Sequence, residues 1–126
     1  MQPKLPILLL LTLQSRHDGF PQGYGFAALL GPTIRYTAQV PAPGHASLAA
    51  ALCATRGGPP DLAAVSIASL DFLCRLGVPT RLQGLDIPQA DLPALAGEAL
   101  QSYYARAAPR PLVDAGEALA LLEQAW

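Results

Sequence analysis

Leu73-Cys74-Arg75-Leu76-Gly77-Val78-Pro79-Thr80-Arg81-Leu82, continued by Gln83-Gly84-Leu85, is the stretch on which the reading of the fold turns. An apolar helical pattern runs into it and stops at Gly77, a residue free to take the left-handed conformation that closes a helix. Pro79 then prevents the helix from resuming and pushes Val78 into an extended conformation. Leu82, Leu85 and Ile87 keep the following loop apolar, so it is expected to lie pinned across a core.

Upstream of that loop, Leu62, Val65, Ile67, Leu70, Leu73 and Leu76 cover most of the circumference of a helix from Asp61 to Leu76. This pattern predicts the central, most buried helix of the molecule. Before it come a helix from about Pro6 to Arg16, with proline in its first turn, and a break at Asp18-Gly19-Phe20-Pro21. A second helix from Gln22 to about Ala38 is interrupted at Gly31-Pro32, where it should kink or restart. A third, alanine-rich helix is expected from about Ala46 to Thr55. Beyond the loop, Asp91 reads as the N-cap of a helix reaching about Arg106, and Asp114 with Glu117 has capping-box spacing at the start of a last helix. No period-two alternation appears. The expectation is an all-α, single-domain bundle of about six or seven helices spanning residues 1–126.

Composition bounds the function classes. The chain is 52% hydrophobic and 13% charged, against about 25% charged in ordinary soluble domains. Apolar surface on this scale calls for a partner, an oligomer interface or a ligand cavity. The net charge is −1 and no Lys/Arg cluster exists, which removes nucleic acid and acidic membrane surfaces as partners. Lys4 and the apolar run Leu5 to Leu13 imitate an export signal, but no small-residue cleavage site follows and the run is short of the roughly 20 residues of a membrane span. It reads as a buried helix of a cytoplasmic protein. Cys53 and Cys74 lie in apolar helical patterns and read as buried thiols, although sequence leaves a disulfide open. Neither Cys-x-x-Cys nor Cys/His ligand spacing is present.

Several segments, in order, resemble the closing part of the iron-containing alcohol dehydrogenase family. They are Ala28-Leu29-Leu30-Gly31-Pro32-Thr33-Ile34-Arg35-Tyr36-Thr37-Ala38, the Leu76-Gly77-Val78-Pro79-Thr80-Arg81-Leu82 loop with Leu85, the helix start between Ile87 and Leu95, and Pro109-Arg110-Pro111-Leu112. The maleylacetate reductase branch is nearest in its short, alanine-rich connections. The resemblance implies a dehydroquinate synthase-like helical domain over nearly the whole chain, without the family's nucleotide-binding domain.

The same resemblance argues against the family's activity. It places a metal histidine at Gln22 in the turn Pro21-Gln22-Gly23, another fourteen residues earlier at Leu8, and a further active-site histidine ten residues earlier at Thr12. A leucine cannot bind a metal and an amide binds iron or zinc poorly. The family's Asn before Pro-Arg-Pro is Ala108, and no G-x-G-x-x-G turn exists. No metal and no cofactor are expected. Thr12, His17, Gln22, Tyr24 and Tyr36 are the candidate ligand contacts of the remnant cleft, with no catalytic residue assigned. His17 beside Asp18 is either a general base or a solvated histidine at a helix end. His45 reads as a loop residue, Tyr103-Tyr104 as half-buried packing. Arg75 and Arg81 would hold an anion or pair with Asp71 or Asp86.

Three functions fit. One is a helical subunit or regulatory partner in which another chain supplies the nucleotide domain. Another is a protein binding or transforming a small apolar ligand in the cleft. The last is a degenerate fragment. The first two helices, with Leu8, Leu11, Phe20 and Phe26, are the expected face for a homo-oligomer or protein partner.

Overall fold

The structure is a computed structural model and describes residues 4–37, 47, 49–51, 62–108 and 110–126. It is all-α, with no strand among the described residues. The elements are α1 (Lys4–Arg16), α2 (Gln22–Thr37), α3 (Leu62–Arg75), two 3-10 turns (Leu82–Leu85 and Gln89–Asp91), α4 (Leu92–Leu100), α5 (Tyr103–Ala107) and α6 (Ala115–Ala125). Ser47 and residues 49–51 are also helical; most of the helix expected from Ala46 to Thr55, with Cys53 and His45, lies outside the described residues.

Among the described residues, α1 supplies more large buried side chains than α3. Leu5, Leu8, Leu9, Leu10 and Leu13 are all buried, which requires neighbours on several sides of the helix. Those neighbours are α2, α4 and α5. Their apolar faces join α6 in one core through Leu29, Leu92, Leu95, Leu112, Leu121 and Leu122. The export-signal mimic is therefore core. Among the described residues no helix is long and apolar enough to cross a membrane.

Helix α3 corrects the expectation that it is the most buried. Val65 and Ser66 are buried and Leu70 is half-buried, but Ile67, Phe72 and Leu76 are 57%, 62% and 61% exposed. An apolar circumference tells how much of a helix can be buried, whereas burial itself needs a neighbour on each side. Among the described elements α3 packs on α2, where Ser66 Oγ donates to Gly31 O at 3.0 Å. Gly31 permits that approach: a Cβ there would stand 3.2 Å from Leu70 and 3.3 Å from Ser66 Oγ. Cys74, expected to be buried, is an exposed free thiol on the last turn of α3.

The loop that closes α3 behaves as its residues dictate. Gly77 has φ +72°. Its N–H donates to Cys74 O at 3.0 Å, and the Val78 N–H donates to Leu73 O at 3.2 Å, the paired bonds of a Schellman closure. Leu82 and Ile87 are buried and Leu85 packs against the core, which pins the loop. Trp126 Nε1 donates to Ile87 O at 2.9 Å, fastening the end of α6 to the same place.

One helix boundary differs from expectation, and α2 takes the continuing one of its two expected forms. Helix α2 continues unbroken through Pro32, which is itself buried. Packing against α1, α3 and α6 offsets the missing N–H and the ring's crowding of the preceding turn. The helix expected from Asp91 to Arg106 is divided at Gln101–Ser102, with the Ser102 hydroxyl accepting from Tyr104 N to cap α5. Asp91 makes no side-chain cap; its backbone is already helical, and its carboxylate turns to His17.

The face proposed for a partner is partly used internally. Leu8 and Phe20 lie in the chain's own core and Phe26 packs half-buried against it. Leu11 is 50% exposed.

Candidate functional site

Each of the five candidate contacts has its own surroundings. No hydrogen bond or ion pair joins any two of them among the described residues. The Thr12 hydroxyl donates to Leu8 O, one turn back on α1, at 2.9 Å. His17 Nε2 lies 2.9 Å from Asp91 Oδ2, so the imidazole at the end of α1 is half-buried and committed to the turn before α4. It is not the fully solvated residue of one sequence alternative. Gln22 and Tyr24 are exposed in the first turn of α2. Tyr103 and Tyr104 are exposed and pack edge-to-face on each other, with ring centroids 5.9 Å apart. Arg75 and Arg81 are exposed and form no ion pair with a described residue.

Tyr36 is the candidate around which the structure builds something. It sits in the last turn of α2, where carbonyls lack helical partners. Arg110, from the turn before α6, donates from Nη1 to Tyr36 O at 3.2 Å. Its guanidinium carbon stands 3.9 Å from the centroid of the Tyr36 ring, within cation–π range. Nη2 donates to Glu117 Oε1 at 3.0 Å. The Tyr36 hydroxyl lies 3.0 Å from Pro111 O and 3.2 Å from Glu117 Oε2, so its one proton serves either acceptor.

Local sequence places these groups. Leu112 is buried and its N–H donates to Ala105 O at 2.8 Å, which holds the Arg110-Pro111 turn against α5. Asp114 Oδ1 accepts from Gly116 N at 2.7 Å and Glu117 N at 3.0 Å, so α6 begins at the expected cap. The other half of the capping box is diverted. The Glu117 carboxylate reaches Arg110 and Tyr36.

Beside this cluster is a cavity of about 210 Å³ lined by Pro32, Arg35 and Tyr36 of α2, Arg110, and Glu117, Ala120, Leu121 and Gln124 of α6. Burial, followed by the bond and charge of Glu117, raises the Tyr36 phenol above its ordinary range, with Arg110 opposing. The phenol is thus a hydrogen-bond donor at neutral pH and not a base. Glu117 is ion-paired with Arg110. The arrangement presents charged groups and hydrogen-bonding groups beside an apolar wall. A second, open groove follows the Gly77 loop between Cys74 and Gly84.

Arg35, Arg110, Glu117 and Gln124, which line the cavity beside Tyr36, are not among the sequence candidates. The signals for two of them were present, an arginine between prolines and a glutamate at the third helical position. Each was explained locally, and nothing in the order of residues reveals that a tyrosine 74 positions before Arg110 meets it.

Among the described residues no group of three or more His, Cys, Asp or Glu side chains is placed to hold a metal. The three positions that the family resemblance assigns to histidine offer a buried leucine, a hydroxyl engaged with Leu8 O, and an exposed amide. This donor set does not fit iron or zinc.

Comparison with protein-family models finds no match, and none of the curated proteins matches. Among solved structures, the chain is similar to a crystal structure of a 1,3-propanediol oxidoreductase, with a TM-score of 0.71 and 22% identity, over 97% of this chain and 32% of that one. The chain has the fold of a third of an oxidoreductase. The likeness fits the resemblance to iron-containing alcohol dehydrogenases read in the loop after Leu76 and in the α2 segment, and at this identity it concerns fold.

Proposed function

We propose that these residues act as a metal-free helical unit of an oxidoreductase-like assembly, as a subunit or regulatory partner, with dehydrogenation left to other polypeptide. The observation that carries this reading is the mismatch between the fold and its donors. The chain follows an oxidoreductase over 97% of its length, while Leu8, Thr12 and Gln22 stand at the resemblance's histidine positions. The short, alanine-rich connections favour the maleylacetate reductase branch.

The test is elemental analysis of the purified chain with a titration of NAD(H) and NADP(H). The expected result is no stoichiometric iron or zinc and no micromolar nucleotide affinity. Stoichiometric metal lost in Gln22→Ala, or micromolar nucleotide binding, overturns the reading.

Association belongs to the same proposal. With Leu8 and Phe20 internal, the contact on the first two helices centres on Leu11 and Tyr24, both exposed. A two-fold dimer is the simplest assembly. Light scattering is expected to give at least twice the monomer mass, reduced to the monomer by Leu11→Asp with the fold intact. A monomeric wild-type chain that also captures no nucleotide-binding partner overturns it.

A further inference from the structure

The cavity between α2 and α6 has a charge balance that its own residues do not complete. Two guanidinium groups and one carboxylate line it, for a net charge of +1. The carboxylate is already paired with Arg110 through Oε1, and its Oε2 shares the Tyr36 hydroxyl proton with Pro111 O. Arg35 is exposed at the rim and has no hydrogen bond or ion pair with a described residue. Gln124 adds an amide to the same lining, and Pro32, Ala120 and Leu121 supply an apolar wall.

We infer that this cavity binds a small monocarboxylate with a compact apolar or aromatic body. Its carboxylate meets the Arg35 guanidinium and the Gln124 amide, and its body lies against Pro32, Ala120 and Leu121. One negative charge balances the residual positive charge. A dianion overcompensates it and wastes the apolar wall; a metal cation meets two arginines. Size sets a further limit, because pockets for larger ligands start at about 300 Å³ and this one is about 210 Å³. The ligand is therefore of benzoate size. Arg110 is the fixed element of the site. Its stacking on Tyr36 and its two bonds use one ring face and two of its N–H groups, so its position is set before any ligand arrives.

The inference is independent of the oxidoreductase-assembly reading, since it concerns a different part of the surface and survives either outcome for metal or nucleotide. The test is titration of the isotope-labelled chain with sodium benzoate, followed by backbone amide NMR at Arg35, Tyr36, Leu121 and Gln124. Benzamide, inorganic phosphate and sodium chloride at matched ionic strength are the controls. The expected result is saturable shifts confined to these residues, with a Kd of about 1 mM or tighter for a ligand with so few atoms. Benzamide is expected to bind about tenfold or more weakly, the loss of one charge-assisted contact. Arg35→Gln should reproduce that loss for benzoate, and Ala120→Phe, at an exposed position on the cavity wall, should abolish binding. Absence of saturable shifts, equal binding of benzamide, or tighter binding of phosphate overturns the inference. The ligand comparison needs no variant, so it decides even if a substitution disturbs the fold.

Discussion

Arg110 holds Tyr36 at two points at once, its guanidinium 3.9 Å from the ring centroid and its Nη1 donating to the carbonyl of the same residue at 3.2 Å. A lysine cannot do both, because it has neither the planar face nor the fork of donors. Arg110→Lys is therefore expected to destabilise by about 1–3 kcal/mol, since a hydrogen bond to a charged group and a stacking contact go together. Tyr36→Phe keeps the ring and loses the hydroxyl, for about 1 kcal/mol. Urea unfolding of the two variants checks the order. The same phenol gives an alkaline signature. Its pKa is raised in the fold, so its contribution is full below the unfolded value of about 10 and is lost as pH rises through the folded value. A pH titration of tyrosinate absorbance should show a late component that Tyr36→Phe removes.

Arg16 and Glu98 give the opposite sign. Arg16 Nε donates to Glu98 Oε1 at 2.7 Å, joining α1 to α4. The bond to Arg16 lowers the Glu98 pKa, and Arg16 is raised by the same bond. A depressed carboxylate stabilises above its unfolded value of about 4.3, and that contribution disappears as pH falls through the folded value. The urea midpoint of the wild type should fall in acid more than that of Glu98→Gln. Because both side chains are exposed, added salt should shrink the difference.

Two glycines inside helices should respond in opposite directions to alanine. At Gly25 a Cβ would stand 2.5 Å from Leu10 Cδ1 and 2.7 Å from the Phe20 ring, both buried where α1 meets α2. Gly25→Ala is expected to cost about 1–3 kcal/mol by overpacking. At Gly97, inside α4, a Cβ meets nothing within 4 Å. Gly97→Ala should stabilise by about 0.5–1 kcal/mol through helix propensity alone. Thermal unfolding of the pair should move in opposite directions from the wild type.

The placement of the core makes a third contrast. Leu9→Ala, in the middle of α1, should cost about 2–5 kcal/mol because Leu9 is fully buried. Phe72→Ala on α3 should change stability by about 0.5 kcal/mol or less, since the ring is 62% exposed. Chemical denaturation that ranked Phe72 above Leu9 would refute the placement of α1, and not the exposed side of α3, in the core.

These contrasts mark where sequence was legible. The Gly77 closure, the Asp114 cap and the apolar loop through Leu82 and Ile87 follow from neighbouring residues, and each was readable. Which helix is buried on several sides was not. It depends on which elements surround Leu9 and which leave Phe72 uncovered, a matter of neighbours distant in the chain. The site divided the same way. Tyr36 was singled out for its hydroxyl, but its partners at Arg110 and Glu117 are fixed by the approach of α6 to the end of α2. His17 is notable in the sequence but its partner is not: Asp91 has the residue type of a cap, while its backbone already occupies the helical region and frees the carboxylate for the imidazole.

The indole bond from Trp126 to the carbonyl of Ile87 joins residues 39 positions apart. It makes a clasped ring of the stretch from the pinned loop through α4, α5 and α6. A tug on the C-terminal residue is therefore transmitted to the peptide of a fully buried isoleucine in the middle of the fold. Tension applied there would load the interior before it could peel away the last helix.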